Sequence, residues 1–221
     1  MYKINLPTKI LNIVYPQVCL MCGRPVQNDL CNKCKIFLNT QQIIGIDNYV
    51  SNEEKEYDEH LYLYGYEGLI RKLILKYKFK EKTYLYKIFI KNLKKNKKIY
   101  VFLKKYDIII PVPISKKRKK QRGYNQSSLL AQEISKDFNM EYNEKCLIKL
   151  AHTKPQSSLS KEDRIKNVKN VYSVKNSEKI INRNILLIDD IYTTGNTVNE
   201  CSRILKLAGA KHVDVITIAK D

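Results

Sequence analysis

Residues 185–197 read ILLIDDIYTTGNT. Ile185 to Ile188 form a short, continuous apolar run, as expected of a strand buried on both faces of a parallel sheet. The strand is expected to end at Asp189 and Asp190, two carboxylates at the carboxyl edge where α/β proteins place ligands. Thr193, Thr194, Gly195 and Thr197 then form a turn into a helix. Hydroxyls and free amides at a helix N-terminus make an anion site without lysine. Glycine lets the backbone approach the anion and adopt positive φ. Acids beside a phosphate cradle suit a sugar phosphate whose vicinal hydroxyls bond the acids while its phosphate sits on the amides. Alone, Asp-Asp is a turn pair and Thr-Thr-Gly-x-Thr an ordinary N-cap; their contiguity behind a buried strand favours the ligand reading. The chain contains neither G-x-x-x-x-G-K nor G-x-G-x-x-G, which sets aside a Walker loop and a dinucleotide fingerprint.

Outward from this segment, strands alternate with helices. Val198, Cys201, Ile204, Leu205 and Ala208 share one helical face, and HVDVITIA (212–219) supplies another strand. Upstream, DIIIP (107–111) is a buried strand ending at a proline, and SKKRKKQRG (115–123) reads as an exposed loop. Asn125 to Asp137 reads as a helix with Leu130 and Ile134 on one face. CLIKL (146–150) is a further strand, and HTKPQSS (152–158) a loop. DEHLYLYGY (58–66) has the pattern of a strand. Ile70, Leu73, Ile74 and Tyr77, then Leu85, Ile88 and Phe89, recur at helical spacing and predict a helical hairpin across 67–97. The pattern predicts an α/β domain over 61–221, a parallel sheet flanked by helices. Residues 41–60, polar and acidic, are expected to be a connection, and 1–40 a small separate module.

That module carries Cys19 and Cys22, then Cys31 and Cys34, two C-x-x-C hooks eight residues apart. Two such hooks complete a tetrahedral S₄ shell that leaves no open coordination position, so the metal expected is a structural Zn²⁺. The plain alternatives are a redox C-x-x-C or four unpaired thiols. Cys146 and Cys201 sit in core patterns and read as small apolar residues. His60, His152 and His212 are scattered and receive no ligand role. Tyr64 and Tyr66 read as core or surface aromatics rather than base-stacking platforms.

With 221 residues, 43% hydrophobic and 29% charged, the composition is that of a folded protein rather than a disordered one. The apolar runs are too short to span a bilayer, and the first residues contain no small-residue cleavage site. Both point to the cytoplasm. The net charge of +19 comes mostly from lysine. An A/T-rich codon bias, visible in abundant Ile, Asn and Tyr and no Trp, accounts for it as readily as a clustered polyanion-binding patch.

The 185–197 segment resembles the phosphoribosyl pyrophosphate motif of type I phosphoribosyltransferases: apolar strand, Asp-Asp, two residues, Thr-Thr-Gly, one residue, Thr. Three further segments resemble the ComF family, whose members are associated with natural competence. They are CLMCG with LCNKC; PVPISKKRKKQRGYNQSSLLAQ (111–132), carrying Pro-Val-Pro, Arg118 and Arg122-Gly123-aromatic-Asn125-Gln126; and Thr153, Gln156 and Leu159 followed by Arg164, Asn167 and Val168. The likeness spans about residues 19 to 221. Tyr124 stands where phenylalanine is usual. Ala151, next to His152, stands where arginine is frequent, which puts one anion contact of that loop in question.

The resemblance implies that Asp189 and Asp190 hold the ribose hydroxyls. It implies Thr193, Thr194, Gly195, Asn196 and Thr197 for the 5′-phosphate. Val112 and Pro113, at the facing strand end, are expected to meet pyrophosphate through backbone groups. Arg118 and Arg122, in the basic run, are expected to neutralise phosphate charge, although a solvated loop is the plain reading of the same run. The reaction implied is transfer of ribose 5-phosphate from phosphoribosyl pyrophosphate, with Mg²⁺, to a nitrogen nucleophile. Positioning and leaving-group stabilisation would carry it. The alternative is a non-catalytic nucleotide sensor or single-stranded-DNA-handling protein, its knuckle and basic loop meeting DNA or a competence helicase.

Overall fold

The computed structural model describes residues 17–27, 29–50, 54–79, 83–90, 93, 96–150 and 171–221. Ala151, His152, the HTKPQSS loop and the motif from Thr153 to Val168 lie outside them. The chain divides into two units, Met1–Gln42 and Ile43–Asp221.

In the small unit, Val18 bridges Pro25, and the amides of Cys19 and Gly23 donate to Arg24 O and Cys19 O at 2.7 and 2.8 Å. Gly23, at φ +78°, makes the left-handed turn that folds the first hook back. The second hook opens helix α1 (Asn32–Gln41), which buries Cys34 and Leu38.

The large unit is organised by a six-stranded sheet ordered β1-β2-β8-β7-β3-β4: β1 (Gln42–Asn48), β2 (Glu59–Gly65), β3 (Ile108–Pro111), β4 (Glu141–Tyr142), β7 (Asn184–Tyr192) and β8 (His212–Lys220). Pairing is parallel from β2 through β8, β7 and β3 to β4. Ile185 to Ile188 are at most 1% exposed, as a strand covered on both faces requires. The helices are α2 (Gly68–Phe79), α3 (Tyr86–Ile90), α4 (Lys97–Leu103), α5 (Lys116–Arg122), α6 (Gln126–Phe138) and α7 (Asn196–Leu207). The predicted face of α7 is buried at Val198, Cys201 and Leu205.

Several expectations need correction. SKKRKKQRG is not a loop: Ser115 caps α5 by accepting the Arg118 amide at 3.3 Å, and Gly123 closes it at φ +79°. Its seven helical residues bury nothing, so no apolar period marks it; the caps hold it. β7 does not stop at the acids but runs on to Tyr192, because β8 is long enough to pair with it as far as Lys220. The helical spacing over 67–97 is met by α2 and the short α3, with a 3₁₀ turn at Thr83–Leu85 before α3. Residues 41–60 contain β1. CLIKL does form a strand, β5 (Leu147–Lys149), but it pairs antiparallel with β6 (Tyr172–Val174) in a separate two-stranded sheet.

From β3 the chain passes through α5 and α6 outward to β4, whereas from β7 it passes through α7 to β8 on the other side. Neighbouring β3 and β7 therefore send their connections in opposite directions. A crevice opens between their carboxyl ends, the place where open α/β sheets hold ligands.

Candidate functional site

A cleft of about 340 Å³ occupies that switch point. One wall follows β3: the Val112 amide extends the ladder to Ile188 O at 2.8 Å, and Val112, Pro113 and Ile114 line the opening. The other wall follows β7 and carries Asp189, Asp190, Thr193 and Thr197. Arg118 and Arg122 of α5 reach the same space.

The loop after β7 leaves backbone donors open. Gly195, at φ +75°, is the N-cap of α7 and supplies no side-chain cap. The amides of Thr193, Thr194, Gly195 and Thr197 donate to no backbone carbonyl of the described residues. They lie at the positive end of a helix of twelve residues. Thr194, Gly195 and Asn196 lie in this loop without lining the cleft wall.

The two acids sit in different environments. Asp189 accepts Ser127 Oγ at 3.0 Å and the Asp190 amide at 2.8 Å. Burial, then the adjacent Asp190 charge, pushes its carboxyl up to about 7; Lys78, the amide and Ser127 pull the other way. Asp190 pairs with Lys78 Nζ at 2.9 Å.

The corner between α5 and α6 sets the cationic side. Asn125 caps α6 by accepting the Ser127 amide at 3.2 Å and donates through Nδ2 to Val112 O at 3.0 Å. Gln126 accepts Arg122 Nη1 at 3.1 Å, which aims the guanidinium; burial pulls that guanidinium's pKa below its ordinary value. These contacts give Arg122, Asn125 and Gln126 of the Arg-Gly-aromatic-Asn-Gln segment linked roles.

Lys78, Ser127, Lys149, Tyr172 and Tyr66 also line the cleft but escaped the sequence reading. Lys78 sits inside an ordinary amphipathic helix pattern, and Lys149 in a short strand whose partner is remote in sequence. Lys149 donates to Tyr172 Oη at 3.2 Å; burial, then the charge of Arg118, lowers its pKa. Tyr64 is buried, as expected of a core aromatic. Of the histidines, buried His60 lies 2.9 Å from Thr217 Oγ1 through Nε2, and His212 lies 3.2 Å from Asp58.

Cys19, Cys22, Cys31 and Cys34 form the expected cluster, with all four sulfurs within 4.8 Å of one another. Zn–S bonds of about 2.3 Å put tetrahedral sulfurs about 3.8 Å apart. Cys22 Sγ and Cys31 Sγ are 3.8 Å apart. Four thiols and no disulfide fit a closed site for a divalent metal.

A parallel sheet with an acidic pair and an uncapped helix at its switch point is the architecture of a phosphoribosyltransferase-type protein. The phosphoribosyl transferase domain family matches residues 112–221. The chain is 30% identical over 202 residues to competence protein ComFC of Streptococcus pneumoniae, covering 91% of this chain and 80% of that one. It is 27% identical to ComFC of Bacillus subtilis, over 85% of this chain and 71% of that one. It is 37% identical to competence protein F of Haemophilus influenzae over 53% of this chain, spanning about half (52%) of that protein. The chain belongs to the ComF family of competence proteins. Among the described residues no helix is long and apolar enough to cross a membrane.

Proposed function

We propose that the cleft binds phosphoribosyl pyrophosphate, or a closely related ribose phosphate, and that the protein is a phosphoribosyltransferase serving natural competence in the cytoplasm. The observation that carries this reading is the uncapped α7 N-terminus immediately after Asp189 and Asp190. Its free amides and the hydroxyls of Thr193 and Thr197 suit the 5′-phosphate. The two carboxylates suit the 2′- and 3′-hydroxyls. Val112, Pro113, Arg118 and Arg122 line the same cleft and suit the pyrophosphate. Mg²⁺ would enter on the pyrophosphate oxygens, supplying charge neutralisation there, since it keeps phosphate and water ligands in preference to all-protein cages. The chain's own residues position the donor: the acids fix the ribose, the loop fixes its phosphate, and the arginines receive developing negative charge. The four-cysteine cluster is assigned a structural Zn²⁺.

Titration with phosphoribosyl pyrophosphate and Mg²⁺ tests this. Asp189→Asn/Asp190→Asn is expected to lower affinity by roughly 10- to 100-fold, the worth of charge-assisted hydrogen bonds. Absence of binding by wild type to any ribose phosphate at millimolar concentration would remove the reading.

A second reading is favoured by α5, where six of seven residues are cationic and none is buried. That stripe suits the backbone of single-stranded DNA, with a competence helicase as a further partner. Neutralising Lys116, Lys117, Lys119 and Lys120 should then reduce the salt slope of DNA binding by about 0.7 per lost contact. An unchanged slope would exclude α5 from any such interface.

A further inference from the structure

The Lys78–Asp190 pair lies inside the cleft with its side chains only 18% and 11% exposed. An ammonium and a carboxylate so far removed from water depend on each other, because either one left alone keeps its desolvation cost. Asp190 is also the acid placed to accept a ribose hydroxyl. A sugar hydroxyl that takes Asp190 Oδ1, the oxygen Lys78 holds, competes with the ammonium and leaves it better served by a second anion.

The backbone that carries Lys78 is fixed. Tyr77, the residue before it, is buried and donates its hydroxyl to Gln126 O at 2.7 Å, and Tyr124 donates to Tyr77 O. Gln126 Nε2 reaches Lys78 O at 3.5 Å. What can move is the four-carbon stem, whose three-donor ammonium changes partners without the planar constraint of a guanidinium. Arg118 and Val112 line the same cleft, and on the sugar-phosphate reading they meet the pyrophosphate group.

We infer that Lys78 is a partner-exchanging cation: it neutralises Asp190 until ribose hydroxyls take that carboxylate, and then it serves the donor's pyrophosphate. This rests on the sugar-phosphate reading of the cleft and adds a selectivity device to it. A ribose phosphate with a pyrophosphate group supplies the ammonium with a new anion. Ribose 5-phosphate has none at that position, so its hydroxyl competes with the ammonium for Asp190 with nothing to compensate Lys78. Lys78 thereby ties recognition of the sugar to the presence of the leaving group.

The test compares wild type and Lys78→Met in titrations with phosphoribosyl pyrophosphate and with ribose 5-phosphate, both with Mg²⁺. The ratio of the two affinities is expected to fall by about 10- to 100-fold in Lys78→Met, the worth of a charge-assisted contact. The affinity for ribose 5-phosphate itself should hold or tighten. Lys78→Arg, which keeps the charge, should retain most of the ratio, and Lys78→Gln serves as the neutral variant should Lys78→Met not fold. Parallel loss for both ligands would make Lys78 a static counter-ion of Asp190 and overturn the inference, as would an unchanged ratio. Wild type that binds neither ligand would instead sink the sugar-phosphate reading itself.

Discussion

The ring of Tyr192 fills the space into which a side chain on Gly195 would project. Gly195 is also held at φ +75°, so two constraints disfavour any other residue there. The ring is itself fixed: its hydroxyl meets Tyr57 Oη at 2.8 Å, and it stacks on His60 at 4.3 Å. The loop at Gly195 thus rests on an aromatic floor reaching β2. Gly195→Ala is expected to cost about 1–3 kcal/mol for the left-handed backbone and a similar amount for overpacking, and to abolish phosphate binding. In a Tyr192→Leu background the overpacking cost should vanish and the backbone cost remain, a coupling of about 1 kcal/mol or more in urea unfolding. Strictly additive costs would show that the ring is not the obstacle.

Asp189 and His60 pull the pH dependence of stability in opposite directions. The Asp189 carboxyl is pushed from 3.8 up to about 7, chiefly by burial. Between those values the unfolded chain has lost a proton that the folded chain keeps, so stability falls as pH rises. Burial, only partly offset by the Asp47 charge, pulls the His60 imidazole from 6.5 down to about 4. In that window the unfolded chain holds a proton that the folded chain refuses, so stability falls as pH is lowered. Relative to wild type, Asp189→Asn should gain stability with rising pH more steeply, and His60→Gln less steeply, by up to a few kcal/mol across about pH 4 to 7. Unfolding free energies that shift without a change of slope would refute both assignments.

The strands were legible where a run such as Ile185 to Ile188 is buried on both faces and no polar residue interrupts it. The chemistry at 189–197 was legible because hydroxyls, glycine and acids are contiguous. Lys78 and Lys149 were not, since a lysine at the end of a helix or strand looks solvated until the fold turns it into a cleft. α5 escaped because its stability comes from Ser115 and Gly123 rather than from an apolar face. β5 and β6 were separable from the main sheet only through their mutual pairing, which links Leu147 to Val174 across a long sequence interval.

The cysteine cluster makes a stoichiometric prediction. One zinc per chain should be found by elemental analysis, and Cys31→Ser should bring the content close to zero, since three sulfurs leave the shell open. Chelation should also remove hydrogen-exchange protection from the amides of Cys19, Leu20 and Gly23, which donate to Arg24, Asp29 and Cys19 carbonyls. Retained protection in metal-free protein would mean that these turns stand without the ion.

Asn125 ties α6 to the β3 wall of the cleft, because one side chain caps α6 and holds Val112 O. Asn125→Ala removes both bonds and leaves a buried carbonyl and a helix-end amide unpaired, at about 1–3 kcal/mol in total. Asn125→Asp keeps the cap, and its charge suits a helix N-terminus, but it cannot donate to Val112 O. The two variants therefore separate stability from function. Asn125→Asp should lose less stability than Asn125→Ala, while both weaken phosphoribosyl pyrophosphate binding, because the Val112–Pro113 edge is no longer tied to α6. If Asn125→Asp binds the donor as wild type does, the Val112 tether does not shape the pyrophosphate side of the cleft.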